Sequence, residues 1–289
     1  MVYMVLILNI FLGVTQNFLG KEFSRKYGAD KRALLGFNII VMGIATISAF
    51  LLMMKSYAGF EWYALLFGIF AGLGYVLGFY YNFLAYENGV GLATASMIVQ
   101  SSMIAPIVVG WFIVREEMYV VQVIGILLLL LSMYLIFTGD NGKRKIGSKK
   151  GLMYVLLTFL ANAVIAVCQK LYPYCFPKAQ SKVFTFFTFL CSCFISSAFY
   201  FMNKGKRIKE YDRYFFTNSG GTGIILCVRN LLGIFLAANM VAAIQYPITS
   251  SMILVLTTIL SALVYRENMS KKKIVGIAIC IMGTVCLGI

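Results

Sequence analysis

Arg115-Glu116-Glu117-Met118, with Gly125 seven residues on, recurs as Arg266-Glu267-Asn268-Met269, with Gly276 seven residues on, at a constant spacing of 151. Upstream, Phe83-Leu84-Ala85 is matched by Phe235-Leu236-Ala237 at a spacing of 152, and Lys21 by Lys170 at 149. Small insertions therefore separate two otherwise parallel halves, which is the mark of an internal repeat.

The material around the motif is too apolar for water. Of 289 residues 61% are hydrophobic and 12% charged, against roughly 45–50% and about 25% in a soluble domain. Its 25 basic and 10 acidic side chains cannot cover a globule of this size, but they suffice for the connections of a chain whose solvent is lipid. A bilayer core needs about 20 apolar residues per helix. Ten stretches meet that need, near 3–20, 33–54, 62–84, 91–114, 119–138, 151–172, 182–202, 217–242, 245–265 and 272–288. They are continuously apolar rather than alternating, which excludes a porin-like barrel. The first has no basic lead-in of the kind a signal peptide carries, so it is expected to remain as the first helix. The fold expected is an all-α polytopic membrane protein with ten transmembrane helices. Each half holds five spans, an odd number, so the second half must thread the membrane in the opposite sense. The result is two inverted five-helix repeats, the construction many secondary transporters use. The repeats are assigned to residues 1–139 and 151–289, with a basic cytoplasmic linker at 140–150.

Charge placement orients the chain. Nineteen lysines and arginines fall in the odd-numbered connections, including Lys21, Lys143, Lys204 and Lys271, and five in the even-numbered ones: Lys55, Arg115, Lys170, Lys178 and Lys182. By the positive-inside rule the odd connections are cytoplasmic and both termini extracytoplasmic, in a multi-pass protein of the cell membrane. The formal charge of +15 is thus a marker of topology, and nucleic acid is not an expected partner. Lys21 and Lys170 sit at helix ends and are expected to snorkel to the interface.

Enzyme chemistry finds few parts. The chain has no histidine, which removes the commonest general base and any Ser/His or Cys/His pair. Six of seven cysteines, Cys168, Cys191, Cys193, Cys227, Cys280 and Cys286, lie in apolar runs. Neither a disulfide framework nor a zinc cluster is indicated, and no cofactor or metal is expected.

Arg229 is the exception among the charges. It falls near the bilayer middle of the eighth span, where a charge costs about 2.5–3.5 kcal/mol, and no aspartate or glutamate lies deep in any span. Two readings stand: a cavity-facing guanidinium that meets an anionic group on a ligand, or one satisfied by backbone carbonyls or by snorkelling. Asn230 lies beside it. Further deep polar groups are Gln16 and Asn17, Asn38, Gln100, Asn162 and Asn239, each needing a partner out of water. Singly each reads as interhelical glue, and together as a shared pocket. Tyr75, Tyr80 and Tyr81 could wall it. The spacings Gly68/Gly72 and Gly74/Gly78 read as helix packing.

Asn17 and Lys21, the run Phe79-Tyr80-Tyr81-Asn82-Phe83-Leu84-Ala85-Tyr86, Ala93-Thr94-Ala95-Ser96, Pro106-Ile107-Val108, Glu116 and Gly125 together resemble the drug/metabolite transporter superfamily, in particular its EamA-like ten-helix members. Lys170, Phe235-Leu236-Ala237, Glu267 and Gly276 repeat the pattern less fully, with Thr257 where the proline would align. The resemblance implies that helices one to four of each half enclose a central cavity with five and ten outside it. Relatives are drawn with cytoplasmic termini, the reverse of what the charges indicate. Its cation exporters use an intramembrane carboxylate that this chain lacks. The expected function is a secondary transporter of a small polar metabolite, carboxylate- or phosphate-bearing, such as an amino acid, working by alternating access. The alternatives are a flippase for a lipid-linked polar head group and a non-transporting scaffold. The small solute and the lipid bilayer are the expected partners, and a second copy of the chain is a candidate one.

Overall fold

In the computed structural model the described residues are 2–27, 30–54, 62–88, 99, 101–138, 149–176, 180–202, 211–265 and 270–288. Among them the chain is all-helical. The helices are α1 (Val2–Tyr27), α2 (Lys31–Met54), α3 (Trp62–Glu87), α4 (Ile104–Phe112, entered through a 3-10 turn, Ser101–Met103), α5 (Val120–Thr138), α6 (Lys149–Cys175), α7 (Ser181–Met202), α8 (Arg213–Asn239), α9 (Ala242–Tyr265) and α10 (Lys271–Gly288). Seven of them are long and apolar enough to cross a membrane. Most of the linker expected at 140–150 and the repeated Arg266-Glu267-Asn268-Met269 lie outside the described residues, as does the side chain of Lys21.

Several helices outrun their apolar stretches. α1 continues to Tyr27, with Arg25 and Lys26 in its last turn, where cations meet the negative end of the helix dipole. α8 starts four residues earlier than its hydropathy suggests because Asp212 caps it, accepting from the Phe215 N–H at 3.1 Å. Asp30 does the same for α2, accepting from the Arg32 and Ala33 N–H groups at 2.9 and 3.2 Å. Within the spans, hydroxyls turn back on their own helix: Thr188, Ser219 and Thr249 donate to the carbonyls of Phe184, Phe215 and Gln245. That satisfies polar groups for which lipid offers nothing.

The two halves interleave. α3 packs on α6 and α7, α2 on α7 and α8, α1 on α8 and α9, α4 on α6 and α9, and α5 on α10. Close approach is bought with glycine along α3: Gly68 and Gly72 face the α7 backbone at Phe187–Ser192, and Gly74 faces Ala161 and Ile165 of α6. The largest apolar core gathers Phe23, Phe37, Val41, Phe189 and Phe215 from α1, α2, α7 and α8. Outward faces carry exposed Leu66, Phe70, Phe112, Leu127, Phe194 and Ile281, the surface a helix presents to acyl chains.

Candidate functional site

α1, α3, the turn entering α4, α6, α8 and α9 wall a cavity of about 300 Å³. Its lining follows helical phase. Asn9 and Gln16 on α1, Tyr75 and Asn82 on α3, and Asn162 and Gln169 on α6 are each seven residues, two turns, apart, so each pair shares one face. α8 contributes Leu226, Arg229, Asn230 and Gly233, and α9 contributes Gln245, Thr249 and Ser250.

Arg229 is the charged member of this lining, and no carboxylate of the described residues joins it. Its Nε donates to Asn9 Oδ1 at 3.3 Å and its Nη1 to Gln16 Oε1. Neutral amides thus orient the fork without cancelling its charge, which stays available to an anionic group. Beside it Asn230 Nδ2 donates to the Tyr75 hydroxyl oxygen at 3.2 Å, tying α8 to α3. Asn162 Nδ2 donates to Thr158 O at 2.9 Å. Gln245 Nε2 donates to Gly233 O at 3.4 Å, and the Tyr246 hydroxyl to Ala166 O at 3.1 Å. Among the described residues Asn82 Oδ1, Asn230 Oδ1 and Gln245 Oε1 are shielded acceptors with no hydrogen-bond donor. Each is a cost of this arrangement.

Of the nine residues singled out from the sequence, Gln16, Asn17, Tyr75, Asn162, Arg229 and Asn230 line the cavity. Asn38 does not: it is buried in a separate small pocket with Leu34, Leu35, Tyr80, Phe83 and Leu84. Asn239 does not either, since it is exposed in the last turn of α8 and donates to Phe235 O at 2.7 Å. Both are deep in a hydropathy window but lie on the wrong face or at the wrong end of their helix. Gln100 lies outside the described residues. Tyr80 and Tyr81 stack on Phe199 and Tyr154, at 5.8 and 6.0 Å between ring centroids, and Phe79 takes the wall position between Tyr75 and Asn82. Asn9, Asn82, Gln169, Gln245 and Thr249 were missed. For Asn9, Asn82 and Gln169 the signal was a seven-residue spacing from Gln16, Tyr75 and Asn162, whereas Gln245 and Thr249 are spaced four apart only from each other.

Lys170 is a further correction. It is 3% exposed and points inward, not to the interface. Its Nζ donates to Ala237 O at 3.2 Å and Met240 O at 3.1 Å, and it forms an ion pair with Glu116. A buried ammonium needs such partners, and snorkelling was expected only because the carboxylate comes from the other half of the chain.

Residues 149–289 match the EamA-like transporter family. Among curated proteins none matches the chain. One solved crystal structure of a protein is 14% identical, with a TM-score of 0.74, over 97% of this chain and 98% of its own. At that identity the likeness speaks for the fold, along nearly the whole length.

Proposed function

From the membership of this chain, through residues 149–289, in the EamA-like transporter family, we propose that it is a secondary transporter of a small polar metabolite bearing a carboxylate or phosphate, with an amino acid as the first case to test. The family is one of membrane transporters rather than enzymes, and it implies a small-molecule substrate and a lipid bilayer. The observation that carries the anionic part is Arg229, held in the cavity wall by the amides of Asn9 and Gln16 with no carboxylate in the lining. Around it Asn17, Tyr75, Asn162 and Asn230 offer polar contacts to the rest of the solute.

The mechanism proposed is alternating access between two inverted five-helix halves in the cell membrane, with extracytoplasmic termini. Helix pairing supports it. Exchanging each helix for the one five places along turns α1 on α8 into α6 on α3, α2 on α8 into α7 on α3, and α1 on α9 into α6 on α4, while α2 on α7 and α5 on α10 map onto themselves. All of these pairs occur, and that pattern is what a two-fold relation between halves requires.

The test is uptake of labelled amino acids and phosphorylated metabolites into proteoliposomes by the native chain, Arg229→Ala and Arg229→Lys. The native chain accumulates at least one anionic or zwitterionic solute. Arg229→Ala loses it, and Arg229→Lys retains a fraction because a point charge replaces a planar fork. Wild-type rates in both variants, with normal folding, reject the assignment.

A further inference from the structure

The Arg115-Glu116 turn makes contacts that binding at Arg229 does not use. α4 ends at Phe112, and the chain turns through Arg115, a non-glycine residue at φ 58°. The Glu116 N–H reaches back six residues to Gly110 O at 3.0 Å, and the turn places Arg115 in the left-handed region normally given to glycine. That turn tucks Glu116 under the bundle. One carboxylate oxygen pairs with Lys170 Nζ, and the other accepts from the Ala242 N–H at 2.8 Å. Lys170 in turn donates to the carbonyls of Ala237 and Met240.

The α8–α9 turn is therefore held at both ends by opposite charges, a cation on the last carbonyls of α8 and an anion on the first N–H of α9, each matched to its helix dipole. The side chains are 4% and 14% exposed. Packing leaves no slack: a Cβ at Gly110 would stand 2.6 Å from Glu116 Oε2 and 2.9 Å from Ala242 Cβ. The cluster joins the first half, through Glu116, to three elements of the second. It also sits one turn or less from the lining: Gln169 adjoins Lys170, Gly233 is four residues before Ala237, and Tyr246 four after Ala242. The lining beside the cluster is itself tied across helices by the bonds from Gln245 to Gly233 O and from Tyr246 to Ala166 O.

We propose that Glu116 and Lys170 form a clasp that closes the cavity at the membrane face of the α4–α5 connection, and that releasing it exposes the cavity to that face. This rests on the alternating-access reading. In the repeat, Lys170 and Glu116 are aligned with Lys21 and Glu267, whose side chains lie outside the described residues. Opening must give up both charge-assisted contacts of Glu116 together, with Lys170 and with the Ala242 N–H, which favours a two-state over a graded release.

The test uses the full chain carrying Ser250→Cys, a lining position two turns beyond Ala242, in right-side-out and inside-out vesicles. A membrane-impermeant maleimide is added outside, and labelling is read by peptide mass spectrometry. Native Cys175, exposed at the end of α6 that carries Lys170, reports which vesicles present the clasp face. In those vesicles the introduced thiol reacts slowly, and Glu116→Gln, Lys170→Met or both raise its rate about tenfold. The double variant leaves no lone buried charge, so it serves where a single one fails to accumulate. A thiol that reacts from the opposite face, with a rate from the clasp face that no variant changes, overturns the clasp and leaves alternating access standing. A thiol unreactive from both faces in every variant overturns both.

Discussion

Gly72→Ala is expected to destabilise the α3–α7 contact by an amount that the geometry sets. The added methyl would lie 2.9 Å from Thr188 O and 3.2 Å from both Cys191 Cβ and Ser192 N. Two of these are backbone atoms of α7, so no side chain can swing aside. Relief requires the helices to part by a few tenths of an ångström. Ser192 Oγ, which now donates to Thr188 O at 2.7 Å and reaches Gly72 O at 3.2 Å, then loses its interhelical bond. Overpacking costs about 1–3 kcal/mol, and an interhelical bond in a membrane protein contributes about 0.6 kcal/mol. Against this, alanine gains about 0.5–1 kcal/mol of helix preference over glycine. The net is about 2 kcal/mol, or a melting temperature lower by about 4–8 °C for a chain of this size. The assay is thermal unfolding of the purified protein in detergent, with Gly221→Ala as the control, because a Cβ there meets nothing within 4 Å. The control should melt with the wild type or slightly above it. If Gly72→Ala melts there too, the close α3–α7 approach is wrong.

In the same melts Glu116→Gln and Lys170→Met should each lower stability by about 3–5 kcal/mol, because each strands a buried charge, while the double variant melts above either single one. Asn9→Asp would place a carboxylate where an amide now stands 3.3 Å from Arg229 Nε. It should raise the melting temperature and cut uptake of anionic solutes about tenfold in proteoliposomes, since the guanidinium is then neutralised from within. Asp212, hydrogen-bonded first by Lys26 and then by Tyr27, is held down at about 2. A carboxyl whose folded value is depressed adds stability that is complete above about pH 4 and is lost as the pH falls toward 2. Asp212→Asn should therefore flatten the acid side of a stability profile below about pH 4, and an unchanged profile would remove that role.

What could be read from the sequence was set by which physical variable each residue reports. Hydropathy reports depth, so the helical class and nearly every helix could be placed, and Arg229 stood out as a charge at the wrong depth. Depth does not report azimuth. Asn38 and Asn239 are as deep as Asn162 in a window average, yet one faces a side pocket and the other the end of α8. Phase along a helix carries the missing coordinate. Asn9 is two turns from Gln16, Gln169 two turns from Asn162 and Asn82 two turns from Tyr75, so three polar faces were written in the spacing and lacked only a comparison of residues seven apart.

Lys170 was misread for a different reason. Snorkelling follows when a cation near a helix end has only its own helix and the lipid to consider, and its real partners are supplied from outside α6, Glu116 from the other half and the α8 carbonyls across a turn. No window along one helix contains them. The repeat does: a lysine near the end of the first helix and a glutamate in the Arg-Glu turn occur together in both halves, at spacings of 149 and 151. A pair that recurs in two places where hydropathy does not demand it points to contact between them. In the inverted repeat proposed above the contact would cross from one half to the other, because the lysine-bearing end of α6 would then share its membrane face with the α4–α5 turn and not with the end of α1, and the ion pair of Lys170 with Glu116 joins those two places.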